Sequence, residues 1–208
     1  KASINKNSDL EADCISYCSI DTFVAKIVDA TAILDSQIVA RRVDVSKLQR
    51  SLPGFELNMT SKNNNILNSV LSNSGMGVGE MSMSVNNDSV FRMKGDVLRF
   101  NSGDTRLDTL RFDAWQQTNV LNYTAMIGNR PGTLDKFAHV DVKGAIADDK
   151  VSVFVTQRNI AKAIGFNLGA TATIGDTTLL VQFAPVTPII GYKNWEINED
   201  NYLMYNLA

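Results

Sequence analysis

Asp104, Asp108 and Asp113 come nearest to an acid–base constellation in this chain, since paired carboxylates can divide the work of proton donor and proton acceptor. Asp113, however, alternates with Arg111 on what should be the wet side of a strand over Leu110–Ala114. An exposed, paired carboxylate has no cause to leave its ordinary acidity and serves poorly as a catalyst near neutral pH. Asn194, Glu196, Asn198 and Asp200 offer oxygen ligands at every second position, as a calcium loop does. Glu199 then stands where such a loop needs glycine for its sharp turn. His139 is the single histidine, which excludes a two-histidine zinc site and an H-E-x-x-H motif, and no G-x-S-x-G elbow supplies it with a nucleophile. It reads as a structural or surface residue. Gly75-Met-Gly-Val-Gly79 has the density of a phosphate loop, but Glu80 replaces the third glycine and the segment follows a helix where a phosphate loop opens one. A helix cap leading into a closely packed strand explains it better.

Cys14 and Cys18 lie four apart, which on a strand separates them by about 13 Å, beyond the reach of a disulfide. Two buried free thiols are expected. Trp115 and Trp195 read as core or interface residues more readily than as sugar platforms. Met76, Met81, Met83, Met93 and Met126 are more suggestive, because methionine adapts to irregular apolar partners, although most methionines in strands are simply core. No constellation joins a nucleophile, a base and an oxyanion site. The expectation is a protein that is not an enzyme and needs no cofactor and no metal.

The elements that would position these residues are mostly strands. With 44% hydrophobic and 20% charged residues and a net charge of −2, the 208 residues have an ordinary globular composition and lack the basic footprint of a nucleic-acid binder. Alternation with period two dominates: Met81-Ser-Met-Ser-Val85, Phe91 to Val97, Leu110-Arg-Phe-Asp-Ala114 and Leu121 to Ile127 each place apolar side chains on one face and polar ones on the other. Further strands are read at Phe23–Val28, Ala30–Leu34, Ile38–Val43, Val140–Ile146, Val151–Thr156, Phe166–Ile174 and Thr178–Phe183. Turn residues separate the runs at about ten-residue intervals, the spacing of all-β proteins. They include Asn86-Asn87-Asp88, Asn101 to Asp104, Asn129-Arg-Pro-Gly132, Asp148-Asp149 and Gly175-Asp176. One short helix is expected at Asn64–Asn73, where Ile66, Leu67, Val70 and Leu71 have helical spacing and Gly75 follows as a stop. No composition break divides the chain, so residues 1–208 read as a single β-rich domain. Its start at Lys1, without leader or cleavage site, and its end at Ala208 within a strand-like run read as those of a piece excised from a longer protein.

From Gly165 the chain reads Gly-Phe-Asn-Leu-Gly-Ala-Thr-Ala-Thr, then Leu179–Phe183, Pro185-Val-Thr-Pro188, Ile189-Ile-Gly-Tyr-Lys-Asn-Trp195, Ile197-Asn198 and Asp200-Asn-Tyr202. This succession resembles the TamB family, the large AsmA-like proteins of Gram-negative envelopes. Upstream, Leu52-Pro53-Gly54, a short helix and Met76–Val85 are similar to that family's interior, so the resemblance spans about Asp44 to Ala208. It implies an elongated, curved sheet of the β-taco kind with an apolar concave side, in the periplasm or cell envelope of a Gram-negative bacterium. It also implies a role in phospholipid transport between inner and outer membranes and in outer-membrane protein assembly. The partners implied are phospholipid acyl chains and an outer-membrane assembly barrel protein, with membrane contact through parts of the parent chain not included here.

Elementary physics gives this a mechanism. A sheet of period-two strands has one apolar face that must be covered by a second sheet or by curling. If it curls incompletely, an acyl chain can enter, each Å² of apolar surface removed from water being worth roughly 25 cal/mol. The fold class expected is all-β: an elongated, curved, antiparallel or mixed sheet with one short α-helix, a sandwich or a partly open barrel being the alternatives. About 15 strands would span ~70 Å. The candidate groove residues, chosen by alternation, are Met81, Met83, Phe91, Met93, Val97, Leu110, Phe112, Tyr123 and Ile127. The competing reading is a closed β-sandwich acting as an adhesin or carbohydrate-binding module, with ligands on loops near Trp115 or Trp195.

Overall fold

The computed structural model describes residues 2–6, 9–62, 65–129, 139–198 and 201–207. Its chain order is β1 (Ala2–Lys6), β2 (Leu10–Ser16), α1 (Ile20–Ala40), α2 (Val45–Ser51), β3 (Phe55–Ser61), α3 (Ile66–Asn73), β4 (Met76–Gly77), β5 (Glu80–Asn87), β6 (Phe91–Ser102), β7 (Thr105–Gln117) and β8 (Val120–Gly128). Then follow β9 (His139–Ala147), β10 (Lys150–Arg158), β11 (Ile164–Ile174), β12 (Thr178–Phe183), β13 (Ile189–Ile190), β14 (Lys193–Asn194) and β15 (Tyr202–Asn206). All strands join one open sheet, and every pairing is antiparallel. The expected all-β, elongated, curved sheet is thus found, and among the described residues there is no parallel pair and no second sheet.

The main path runs β1-β2-β3-β5-β6-β7-β8-β9-β10-β11-β12-β15, with β4, β13 and β14 lying off it. Twelve strands in line span about 50 Å, less than the expected 70 Å because three of the fifteen extend existing strands instead of widening the sheet. From β5 to β12 the path is a plain meander, in which each strand pairs with its neighbours in the chain.

The N-terminal part departs most from expectation. The strands read at Phe23–Val28, Ala30–Leu34 and Ile38–Val43 do not exist: helix α1 takes up Ile20–Ala40. β-Branched Ile20, Val24, Ile27, Val28, Ile33, Ile38 and Val39 favour strands locally, yet no glycine, proline or asparagine interrupts the 21-residue run, and Ser19 caps it by accepting a hydrogen bond from the Thr22 amide. Helix α2, also not foreseen, is capped by Asp44 through the Lys47 amide. The expected helix at Asn64–Asn73 is found as α3. Its cap is Asn65, whose Oδ1 accepts from the Leu67 and Asn68 amides while its Nδ2 donates to the Asp9 and Lys62 carbonyls. Among the described residues there are therefore three helices where one was expected. Asn64, the turn after Asn129 through Gly132, Asp200 of the oxygen series and Glu199 at its glycine position lie outside the described residues.

Helices α1 and α2 occupy one rim of the sheet, where the β5–β6, β7–β8, β9–β10 and β11–β12 turns gather. Gln49 Nε2 donates to Asn87 Oδ1, the Ser46 amide to Asn119 Oδ1, the Val43 amide to the Asp148 carbonyl, and Arg41 to the Asp176 carbonyl. At the other end of α1, Phe23 meets Phe55 of β3 edge-on, ring centroids 5.7 Å apart. Helix α1 thus crosses from the β3 side of the sheet to its β12 side, roughly 31 Å at 1.5 Å per residue. Its narrow inward stripe contains Phe23, Ala30, Ile33 and Gln37, whereas Ile20, Val24, Val28, Ile38 and Val39 are exposed.

Candidate functional site

The pairing register decides which side chains share a face. One row across the sheet runs Ala12, Met59, Met83, Gly95, Phe112, Ala125, Val142, Val155 and Leu168, with no polar side chain in it. The next row on the same face runs Cys14, Leu57, Val85, Met93, Ala114, Tyr123, Gly144, Val153, Ala170 and Phe183. A flanking row carries Met81, Val97, Leu110, Ile127 and Val140. On the rim side, Phe91, Leu121, Ile146 and Val151 make a fourth. Four rows cover about 20 Å along the strand direction.

All nine candidate residues fall on this face: Met81, Val97, Leu110 and Ile127 in one row, Met83 and Phe112 in the second, Met93 and Tyr123 in the third, Phe91 in the fourth. Val97 is buried and the other eight are half-buried. Alternation did not reveal how far the face extends. Met59 and Leu57 on β3, and Val142, Val155 and Leu168 on β9 to β11, continue it on both sides. The signal was present in Val140-Asp-Val-Lys-Gly-Ala-Ile146, which alternates just as the nominated strands do.

The chain exposes far more surface than a compact fold would. Its accessible area is 13355 Å², roughly 40% above the ~9,600 Å² of a compact monomer of this mass. Among the described residues only Leu10, Ala30, Val45 and Val97 form a buried hydrophobic core. Bulky rings are seated on the open face against glycines of the next strand. A Cβ on Gly95 would come within 2.2 Å of the Phe112 ring, and one on Gly144 within 2.4 Å of the Tyr123 hydroxyl oxygen.

The opposite face is polar. Glu11, Thr60, Ser82, Asp96 and Arg111 form one row and Asp13, Asn58, Ser84, Lys94 and Asp113 another. Three shallow recesses of about 330, 370 and 370 Å³ lie against β2 to β7 and are lined chiefly by these residues. A twisted sheet is saddle-shaped, so each face is concave along one diagonal. The ion pairs Glu80–Arg99, Asp96–Arg111 and Arg92–Asp113 bind neighbouring strands on this side, and Lys94 lies 4.0 Å from Asp113. Asp113 is thus the anchor of a charge ladder. His139 and Arg158 both meet Asp141, at 2.8 and 2.6 Å, so the single histidine belongs to the same kind of ladder. Met126 also lies on this face, opposite Arg111 and Asp141.

Cys14 and Cys18 are free, as expected, but half-buried. Cys14 sits in an apolar row, whereas Cys18 lies beyond the end of β2 beside Ser16 Oγ at 3.3 Å. Gly75, at φ 72°, ends α3; Gly77 and Gly79 admit the Asn101 and Arg99 side chains against the backbone. Trp115 sits on β7 opposite Asn122, and Trp195 follows β14 with its indole N–H directed to the Ile190 carbonyl; β8 to β11 separate the two. Among the described residues no group of three or more potential metal ligands converges, and no helix is long and apolar enough to cross a membrane.

Besides the Cys14 thiol, one ionisable group stands within the apolar rows. Tyr123 donates its hydroxyl to the Ser152 carbonyl at 2.9 Å across Gly144, and burial raises its pKa above the usual 10.0. The unfolded chain gives up this proton first, so the Tyr123 contribution to stability is complete below pH 10 and disappears as the pH rises through the folded value. In urea titrations at stepped alkaline pH, the loss of stability above pH 10 is expected to be smaller in Tyr123→Phe than in the parent. An equal loss in both would show that Tyr123 does not carry it.

Compared with known proteins, the chain matches no family model, and no curated protein or solved structure shows significant similarity to it.

Proposed function

We propose that this chain is a non-enzymatic lipid-handling module of a Gram-negative envelope, in which the uncovered apolar face receives the acyl chains of phospholipids moving between inner and outer membranes. The observation that carries the reading is the run of two adjacent rows, Ala12 to Leu168 and Cys14 to Phe183, that cross the sheet with no charged side chain and, among the described residues, no facing layer. An exposed apolar surface of this extent demands a partner. A hydrocarbon tail suits it because the rows offer continuous contact without fixed polar anchors: each methylene removed from water contributes about 0.8 kcal/mol, while the headgroup stays in solvent. Met59, Met81, Met83 and Met93 suit chains of varied length and unsaturation, the thioether being pliable. The TamB-like succession at Gly165–Tyr202 supplies the envelope setting, the periplasmic location and the proposed outer-membrane assembly partner. The competing adhesin reading required a closed sandwich, and the sheet here is single.

Photoreactive residues at Met93 and Phe112, in the chain incubated with phospholipid vesicles, test the proposal. Arg92 and Arg111 are the controls, since each is one residue away on the opposite face. Capture at Met93 and Phe112 is expected to exceed the controls at least several-fold. Equal capture at all four positions would overturn it.

A further inference from the structure

Helix α1 carries a second stripe beside its inward one. Phe23, Ala30 and Gln37, seven residues apart, turn into the fold. About a quarter-turn round the helix, Ile20, Val24, Ile27, Thr31, Leu34 and Ile38 follow one another at alternating steps of four and three. This is the heptad spacing of a seam that packs against another helix. All six are exposed, Ile20, Val24 and Ile38 at 83, 55 and 61%, and the seam runs about 27 Å. Thr31 does not interrupt it, because its hydroxyl donates to the Ile27 carbonyl at 2.9 Å and leaves the methyl group free. Bare isoleucine and valine weaken a helix and return nothing to the fold, so their regular succession calls for a partner.

We infer that this seam docks an amphipathic helix of a different protein, one whose own apolar heptad seam is flanked by Lys or Arg. Charge selects the occupant. Asp21, Asp29 and Asp35 are exposed on the free side of α1, and none of them is in an ion pair among the described residues. Lys26, the one cation of the helix, is half-buried on the side of Phe23 and Ala30. Asp21 and Asp35 flank the seam two heptads apart, about 21 Å along the axis, so cations with the same separation on the incoming helix meet both. A second copy of this chain does not fit. Antiparallel pairing would set Asp21 of each copy against Asp35 of the other, like charge on like. Parallel pairing would set them against the flank of Phe23, Ala30 and Gln37, which is already turned into its own fold. A membrane surface does not fit either. Helices that lie in the interface carry Lys and Arg on the polar side, and anionic headgroups repel three aspartates.

The probe is a synthetic helical peptide of three heptads with Leu along its seam and Lys at its flanks. One control peptide replaces the flanking Lys by Glu, and a second scrambles the order of the same residues. In fluorescence anisotropy the Lys peptide is expected to bind the chain at least tenfold more tightly than either control. The double variant Asp21→Lys, Asp35→Lys should reverse the preference in favour of the Glu peptide. Ile27→Glu with Leu34→Glu should abolish binding of both, with the parent's circular dichroism retained because both positions are exposed. Should that apolar variant fail to fold, the charge-reversed one, altered only at exposed carboxylates, decides the matter. A Lys peptide bound no better than its controls would overturn the inference, as would an unchanged preference in the charge-reversed variant. Flotation of the chain with phosphatidylglycerol vesicles that Ile27→Glu abolishes would assign the seam to a membrane and overturn it too. These readouts concern α1, so lipid capture at Met93 and Phe112 succeeds or fails independently of them.

Discussion

Gly144→Val is expected to abolish the native fold. A Cβ at Gly144 would lie 2.0 Å from the Ser152 backbone carbonyl oxygen and 2.4 Å from the Tyr123 hydroxyl oxygen. The first of these is backbone of the paired strand β10 and cannot swing aside as a side chain would, and the second is held by its own bond to that carbonyl. Relief requires breaking the β9–β10 ladder at Gly144–Val153 or expelling Tyr123 from the apolar face. Overpacking alone costs about 1–3 kcal/mol, and a severed ladder at the middle of the sheet adds to it, which for a fold of ordinary marginal stability amounts to unfolding. Circular dichroism and urea titration provide the check: a variant with the parent's midpoint would show that the Tyr123–Gly144–Ser152 approach is not the constraint described. Gly95→Ala is the instructive contrast, because there the obstacle is the Phe112 ring, which can turn.

Asn87→Leu should have the second largest effect, about 2–4 kcal/mol. Asn87 is 2% exposed at the end of β5. Its Nδ2 donates to the Pro53 carbonyl at 2.8 Å and to the Gln49 carbonyl at 3.3 Å, and its Oδ1 accepts from Gln49 Nε2. Leucine has the same number of side-chain heavy atoms in the same branched arrangement, but its bulkier methyl groups leave these groups without partners in a site closed to water. The loss should appear as a lower urea midpoint, together with faster hydrogen exchange in α2 and at Leu52–Gly54, the segment that Asn87 ties to the rim. A midpoint within experimental error of the parent's would show that water replaces the amide at no cost.

The two sites differ in how far the sequence disclosed them. Tyr123 and the other eight face residues followed from alternation alone, because period two on a strand admits one assignment of faces. Alternation also foretold the strands from β5 to β12 closely. It failed where side-chain branching and element type disagree. In Ile20–Ala40 isoleucine and valine lie on nearly every side of the helix, and what distinguished helix from strand was the unbroken length and the Ser19 cap. Asn87 was read as turn punctuation, like most of the chain's asparagines. Its role depends on Gln49 and Pro53, which lie 38 and 34 residues away, and no local pattern contains that meeting. The same holds for Gly144, an unremarked glycine in a predicted strand until the register placed Tyr123 over it.

The path of helix α1 has a mechanical consequence. Within the meander from β5 to β12 each strand pairs with the strand before it and the strand after it, so among the described residues no strand pairing ties the two ends of the meander together. Helix α1 does reach across, from Phe23 against Phe55 to Arg41 on the Asp176 carbonyl. It acts as a tie-beam between distant ribs, and its length in helical turns sets the span over which those two anchors are held apart.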